Sequence, residues 1–165
     1  MFKIKLLISL LISLIAFSCT GTNSQKNNTK FSLSSVGGGY DGLLLYNNLD
    51  AHLSSYGMID NYSRYEIRSS IGHSTGVYIT NIDNTSDRES VTSELAIVIY
   101  DKQSKCNAYS YNNKIYQFYV FSSNEKFISN KTAQKKIKTE NTEELVKRFT
   151  NALMNEDVEC EAQGK

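Results

Sequence analysis

The sequence predicts an α+β fold, a two-layer sandwich in which two helices pack on a mainly antiparallel four-stranded sheet, in the order β-α-β-β-β-α. Three observations predict it. Leu45, Leu49 and Leu53 recur at i, i+4 and i+8, the spacing of one helix face. Between Tyr65 and Phe121 the apolar period drops to two over three successive segments, as in half-buried strands. Helical period then returns after Ser129, with Ala133, Ile137, Leu145, Phe149, Ala152 and Leu153 on one stripe. A sheet with one apolar face needs cover, and two amphipathic helices supply it.

The elements follow in order. FSLSSV, Phe31 to Val36, reads as a short first strand with Phe31 and Leu33 on one face. Gly37-Gly38-Gly39 breaks the chain as a turn and is read as lacking the spacing and context of a phosphate-binding loop. Asp41 is the expected N-cap of a helix from about Gly42 to Tyr56, with Leu44 and Tyr56 widening its stripe and Gly57 stopping it at C′. In the second strand Tyr65, Ile67 and Ile71 alternate with Glu66, Arg68 and Ser70. Asn81 to Ser90, dense in turn formers, leads to VTSELAIVIYD, where Val91, Leu95, Ile97 and Ile99 point one way. Asp101 to Asn113 is expected as a polar connection, and KIYQFYVF, Lys114 to Phe121, as the last strand. No helical segment intervenes, so these strands read as an antiparallel meander. In the final helix Asn141 interrupts the stripe, and with Glu144 it forms a capping-box pattern. The pattern allows one long helix with a weak middle or two collinear pieces.

This single domain spans residues 31–156, and the flanking segments read differently. Lys3 and Lys5 precede an apolar run from Leu6 to Phe17, and small or polar residues follow, the order of an export signal over residues 1–18. The run is too short for a membrane span, which needs roughly 20 apolar residues. Ala16-Phe17-Ser18 fits ordinary secretory cleavage, and it also fits an imperfect lipobox whose cysteine is acylated. Both readings cut between Ser18 and Cys19. The chain contains only Cys19, Cys106 and Cys160, so lipid on Cys19 leaves an even pair for an oxidising compartment. That arithmetic favours Cys19 as the lipid-attachment site and Cys106 with Cys160 as a candidate disulfide, whose Cα separation the sequence leaves open. Several acyl chains would anchor the protein to a membrane without crossing it. Residues 19–30, small and polar, read as a flexible tether, and residues 157–165 as a disordered tail.

Composition narrows the chemistry. A formal net charge of +1 argues against an electrostatic grip on nucleic acid. Eleven tyrosines and no tryptophan suit half-buried sheet faces and interfaces. His52 and His73 are isolated, and such histidines are ordinarily surface or capping residues. HExxH, CxxC and GxSxG are absent, so no catalytic role, metal or cofactor is expected. Asp83-Asn84-Thr85-Ser86-Asp87 lacks the glycine and distal glutamate of an EF-hand loop. KTAQKKIK, Lys131 to Lys138, is the local excess of positive charge; it reads as a solvated helix face or as an anion contact. Arg88, ahead of the third strand, is a second candidate of the same kind.

Taken in order, the signal ending in cysteine, FSLSSV, YDGLLLYNNLDAHLSSYG, TNIDNTSDRESVTSELAIVIYD, YQFYVFSSNEKFISNKTAQKKI and ELVKRFTNAL resemble the lipopolysaccharide-assembly lipoprotein LptE family, over about Phe31 to Met154. The segment after Cys19, CTGTNSQKNNTK, replaces the aromatic and proline-bearing stretch common in that family. The resemblance implies a non-enzymatic protein on the periplasmic side of the outer membrane. It would plug the barrel of an LptD-type partner and help lipopolysaccharide reach the cell surface. By position in the pattern, the resemblance carries lipopolysaccharide contact to Arg88 and Lys131, and less strongly to Lys126. The reading that competes with it is a lipid-anchored periplasmic binding or scaffold protein unrelated to lipopolysaccharide.

Overall fold

The computed structural model of the chain describes residues 29–78, 88–120 and 127–160. Six elements follow in the order β1 (Phe31–Leu33), α1 (Gly39–Ser55), β2 (Tyr65–Tyr78), β3 (Arg88–Asp101), β4 (Cys106–Val120) and α2 (Phe127–Leu153). This is the α+β architecture read from the sequence. The sheet has the order β1-β2-β3-β4. β1 joins parallel to β2, with Phe31 opposite Tyr65, and β2, β3 and β4 form the antiparallel meander. The signal segment, Cys19, most of the tether, the acidic stretch Asp83 to Asp87, Lys126 and residues 161–165 lie outside the described residues.

Strand alternation decides what is buried. In the central strand β3, Val91, Leu95, Ile97 and Ile99 face the helices and are buried, as are Ser93 and Asp101 of the same parity. Leu45, Leu49 and Leu53 of α1 and Leu145, Val146, Phe149 and Leu153 of α2 complete the core. Phe149 meets the ring of Tyr111 on β4 at 5.4 Å between centroids. The other face of the sheet carries Ser70, Ser74, Thr92, Asn112 and Lys114, with no helix of the described residues against it.

Both ends of α1 depend on glycine. At the C-terminus Gly57 has φ +65°, its N–H donates to Ser54 O, and Met58 N–H donates to Leu53 O, a Schellman closure with Leu53 and Met58 both buried. At the N-terminus the cap is Gly38, at φ +111°, and not Asp41. Asp41 lies in the first turn, where its charge still meets the positive end of the helix dipole. Gly37, Gly39 and Gly42 also have the G-x-G-x-x-G spacing between a strand and a helix, a context the sequence reading denied them. The buried Gly42 serves close packing there: a Cβ on it would collide with the carbonyl oxygen of Gly37.

Three expectations need correction. β4 starts at Cys106 and not at Lys114, because Ser110, Asn112 and Lys114 are polar residues of the uncovered face and not loop residues. The connection is only residues 102–105, closed by Lys105 N–H to Asp101 O at 2.8 Å, with Lys105 at φ +55°. α2 runs unbroken through Asn141, whose Nδ2 donates to Ser93 Oγ of β3 at 3.0 Å instead of starting a second helix. Finally, Val158 packs into the core and Cys160 is disulfide-bonded to Cys106 with Cα atoms 6.1 Å apart, so residues 157–160 are tied down.

Candidate functional site

Charged and polar side chains gather at both ends of the sheet, and the two gatherings differ in kind. At the disulfide end, Asp101 is buried at the last position of β3. It accepts from Arg64 Nε at 2.8 Å and from Arg64 Nη2, and from the backbone N–H groups of Gln103 at 2.8 Å and Ser104 at 3.1 Å. The Arg64 guanidinium, ahead of the turn N–H groups, holds the carboxyl well below the usual carboxylate range. Cys160 Sγ lies 3.7 Å from Asp101 Oδ2. Asp101, Cys106 and Cys160 are the one cluster of potential metal ligands among the described residues, but the two sulfurs are bonded to each other. A disulfide offers no thiolate to a metal. This end is a structural clasp.

The opposite end, where β3 starts and α2 begins, is held by polar groups. Tyr119 donates its hydroxyl hydrogen to Glu89 Oε2, and Gln134 Nε2 donates to Glu89 Oε2 at 3.1 Å and to Tyr119 Oη at 2.7 Å. Burial, then Glu89, pushes the Tyr119 hydroxyl up. One layer further in, His73 Nδ1 lies 2.8 Å from Ser93 Oγ, which also accepts from Asn141 Nδ2. Ser93 therefore donates to Nδ1, and the His73 proton sits on Nε2. His73 Nε2 and Asn141 Oδ1 are buried without a partner. Burial lowers the pKa of His73, Asp41 on α1 opposes that shift, and Lys138 on α2 adds to it.

Above this layer an open cleft of about 840 Å³ separates Tyr40, Asp41 and Leu44 of α1 from Lys131, Lys135 and Lys138 of α2. Lys135 Nζ stands 4.9 Å from the centroid of the Tyr40 ring, a cation–π distance. Lys136, by contrast, faces Glu140 at 3.7 Å in an exposed i,i+4 pair.

The predicted contact residues fall as follows. Lys131 is exposed and lines the cleft. Arg88 is the first residue of β3, opposite Tyr78 and Val120, and is also exposed. Strand parity puts Arg88 with Thr92 and Ala96 on the uncovered face, while Glu89, Val91 and Ser93 face the helices. Arg88 and Lys131 thus share one end of the molecule with the sheet between them. The sequence reading quoted Lys135 and Lys138 only as part of a charged run. Their i, i+4, i+7 relation to Lys131 is the signal that one helix face carries all three. Tyr40 and Leu44, the apolar counterparts, could not be placed opposite them before the packing of α1 on α2 was known.

No family model matches the sequence, and no curated protein matches it. Solved structures do match by fold. Rare lipoprotein B from Shewanella oneidensis superposes with a TM-score of 0.59 at 9% identity, covering 78% of this chain and 95% of that one. A minor lipoprotein from Acinetobacter baumannii gives 0.60 at 14% identity, over 82% and 97% of the two chains. Lipoprotein B from Nitrosomonas europaea gives 0.55 at 11% identity, over 73% and 79%. At these identities the likeness is one of fold: the β-α-β-β-β-α sandwich is an architecture found in bacterial lipoproteins.

Proposed function

We propose that this protein is a bacterial lipoprotein, anchored through acylated Cys19 to the periplasmic side of the outer membrane. There it acts as plug and accessory subunit of an LptD-type β-barrel in lipopolysaccharide transport and assembly, working by binding and not by catalysis. The observation that carries the reading is the sandwich itself, shared with lipoprotein structures of which it covers 95% and 97%. Rare lipoprotein B is, moreover, a name used for the LptE family that the sequence resembles. The uncovered sheet face adds support: its serines, Thr92, Asn112 and Lys114 offer hydrogen bonds, and a barrel lumen is polar.

The test is isolation from membranes in mild detergent. A large outer-membrane barrel should accompany the protein, its depletion should lower surface lipopolysaccharide, and mass spectrometry should find acyl groups on Cys19. Recovery of the protein alone, with normal surface lipopolysaccharide after depletion, would replace this reading with that of a lipid-anchored periplasmic scaffold or binding protein. The contact residues have their own test: Arg88→Asp with Lys131→Asp should weaken lipopolysaccharide binding at fixed salt while far-UV circular dichroism stays unchanged.

A further inference from the structure

We infer that the cleft between α1 and the first half of α2 is a recognition site for a phosphate monoester carried beside an apolar group. Lys131, Lys135 and Lys138 form its cationic wall, and Tyr40 and Leu44 its apolar one. The inference rests on the proposed function only for the origin of the ligand.

The geometry supports a site and not a merely solvated helix face. Three ammonium groups line one helix face, and the cleft answers them with a single carboxylate, Asp41. Other cations of α2 do have acidic partners within the helix: Lys136 faces Glu140, and Arg148 Nε donates to Glu144 at 2.8 Å. The excess positive charge of α2 is therefore concentrated where the helix meets α1. Lys135 is held over the Tyr40 ring, which orders an ammonium group at the edge of the cleft.

The ligand class follows from the same residues. Tyr40 is 56% exposed and Leu44 half-buried, so a purely ionic ligand would leave an apolar wall wet. A dianionic phosphate satisfies more than one ammonium group, and an attached acyl chain or sugar face covers the ring. Arg88 is not part of this cleft, because the sheet separates the two. Two sources carry this chemistry, a phosphorylated lipid headgroup and a free phosphate.

The experiment uses the full chain in neutral detergent at fixed salt. Its probes are lipopolysaccharide, the same lipopolysaccharide after enzymatic dephosphorylation, phosphatidylcholine vesicles with and without phosphatidic acid, and inorganic pyrophosphate. Replacing Lys131, Lys135 and Lys138 together by Gln should weaken binding of the phosphorylated lipids by about tenfold or more, since each basic residue near an anionic surface contributes measurably. A charge-matched triple, Lys114→Gln with Lys136→Gln and Lys147→Gln, should change it by less than about twofold. Tyr40→Ala should weaken lipid binding more than pyrophosphate binding. Competition by pyrophosphate would support the cleft with phosphate itself as the recognised unit; binding of phosphatidic acid without such competition would support it with a lipid-borne phosphate.

Equal losses in both triples, or none in either, would overturn the site, as would failure of the unaltered protein to bind any phosphorylated probe. The two readings fail separately. If lipopolysaccharide is bound and the cleft triple binds it as tightly, the cleft falls and the proposed function stands. If only phosphatidic acid is bound, and the cleft triple loses it, the cleft stands and the proposed function falls.

Discussion

At one end of the sheet, Leu95, Ile97 and Ile99 meet Leu145, Phe149 and Leu153 in a continuous apolar core, closed by a disulfide and by Val158. At the other end Val91 and Ile137 are buried outside that core, beyond the His73, Ser93 and Asn141 layer, and Glu89, Tyr119 and Gln134 tie helix to sheet. The same two helices and the same strands run through both ends. Apolar burial is non-directional and cumulative, so the first end sets global stability. Hydrogen-bonded side chains contribute little net energy each but fix orientation, so the second end can open locally while the first stays folded. The lysine cleft belongs to the second end. Recognition is thereby placed on the part of the fold that can yield without unfolding the rest.

The sharpest way to break this contrast is to damage the apolar end. Phe149 is fully buried between the helix layer and Tyr111, and Phe149→Ala should cost about 3–5 kcal/mol, read as a lower urea midpoint for the whole domain. A change confined to one region would deny that the core is a single cooperative unit. Cys106→Ser with Cys160→Ser comes next. It opens a closure between residues 54 apart and should cost about 2–4 kcal/mol, again globally. An unchanged midpoint would mean that the C-terminal segment is held by Val158 alone.

Asn141→Ala tests the polar end. Removing Nδ2 leaves Ser93 Oγ without its donor and should cost about 1–3 kcal/mol. Amide hydrogen exchange should speed up across residues 130–140 well before residues 145–153. Equal acceleration over all of α2 would show that the two ends are not separable.

The same contrast explains what could be read from the sequence. Where apolar burial dominates, periodicity is visible: Leu45, Leu49 and Leu53 mark α1, and Val91, Leu95, Ile97 and Ile99 mark the buried face of β3. Where polar groups carry the packing, the pattern misleads. Asn141 looked like a helix start because a buried amide and a capping amide are the same residue in sequence, and only the partner, Ser93, distinguishes them. Asp101 looked like the first residue of a loop, although Arg64 and the turn N–H groups make it the anchor of that turn. The first half of β4 was hidden because both its outward face and its edge are wet, which removes the apolar member of the alternation. The candidate site was half legible. Lys131 stood out by charge, but the opposing wall, Tyr40 and Leu44, comes from a helix about ninety residues earlier in the chain.

The smallest expected effect sharpens the comparison furthest. His73 sits in the polar layer with Ser93 of β3 against its Nδ1, Asp41 on α1 and Lys138 on α2, and burial holds its pKa below the ordinary histidine value of about 6.5. The unfolded chain therefore takes up the proton first as pH falls. The contribution of neutral His73 is complete above about pH 6.5 and is lost as pH drops below it toward the folded-state value. Asp101, whose carboxyl is held low by Arg64, has the same sign but acts at a lower window: its contribution persists above about pH 4 and fails only in stronger acid. Thermal unfolding should thus show a first decline between about pH 7 and 5 that His73→Gln flattens, and a second, below about pH 4, that Asp101→Asn flattens. Hydrogen exchange, corrected for its intrinsic pH dependence, should localise the first decline to residues 130–140. If His73→Gln left the slope between pH 7 and 5 unchanged, the polar layer would not be the seam between the two ends, and the helix would have to be treated as one rigid body.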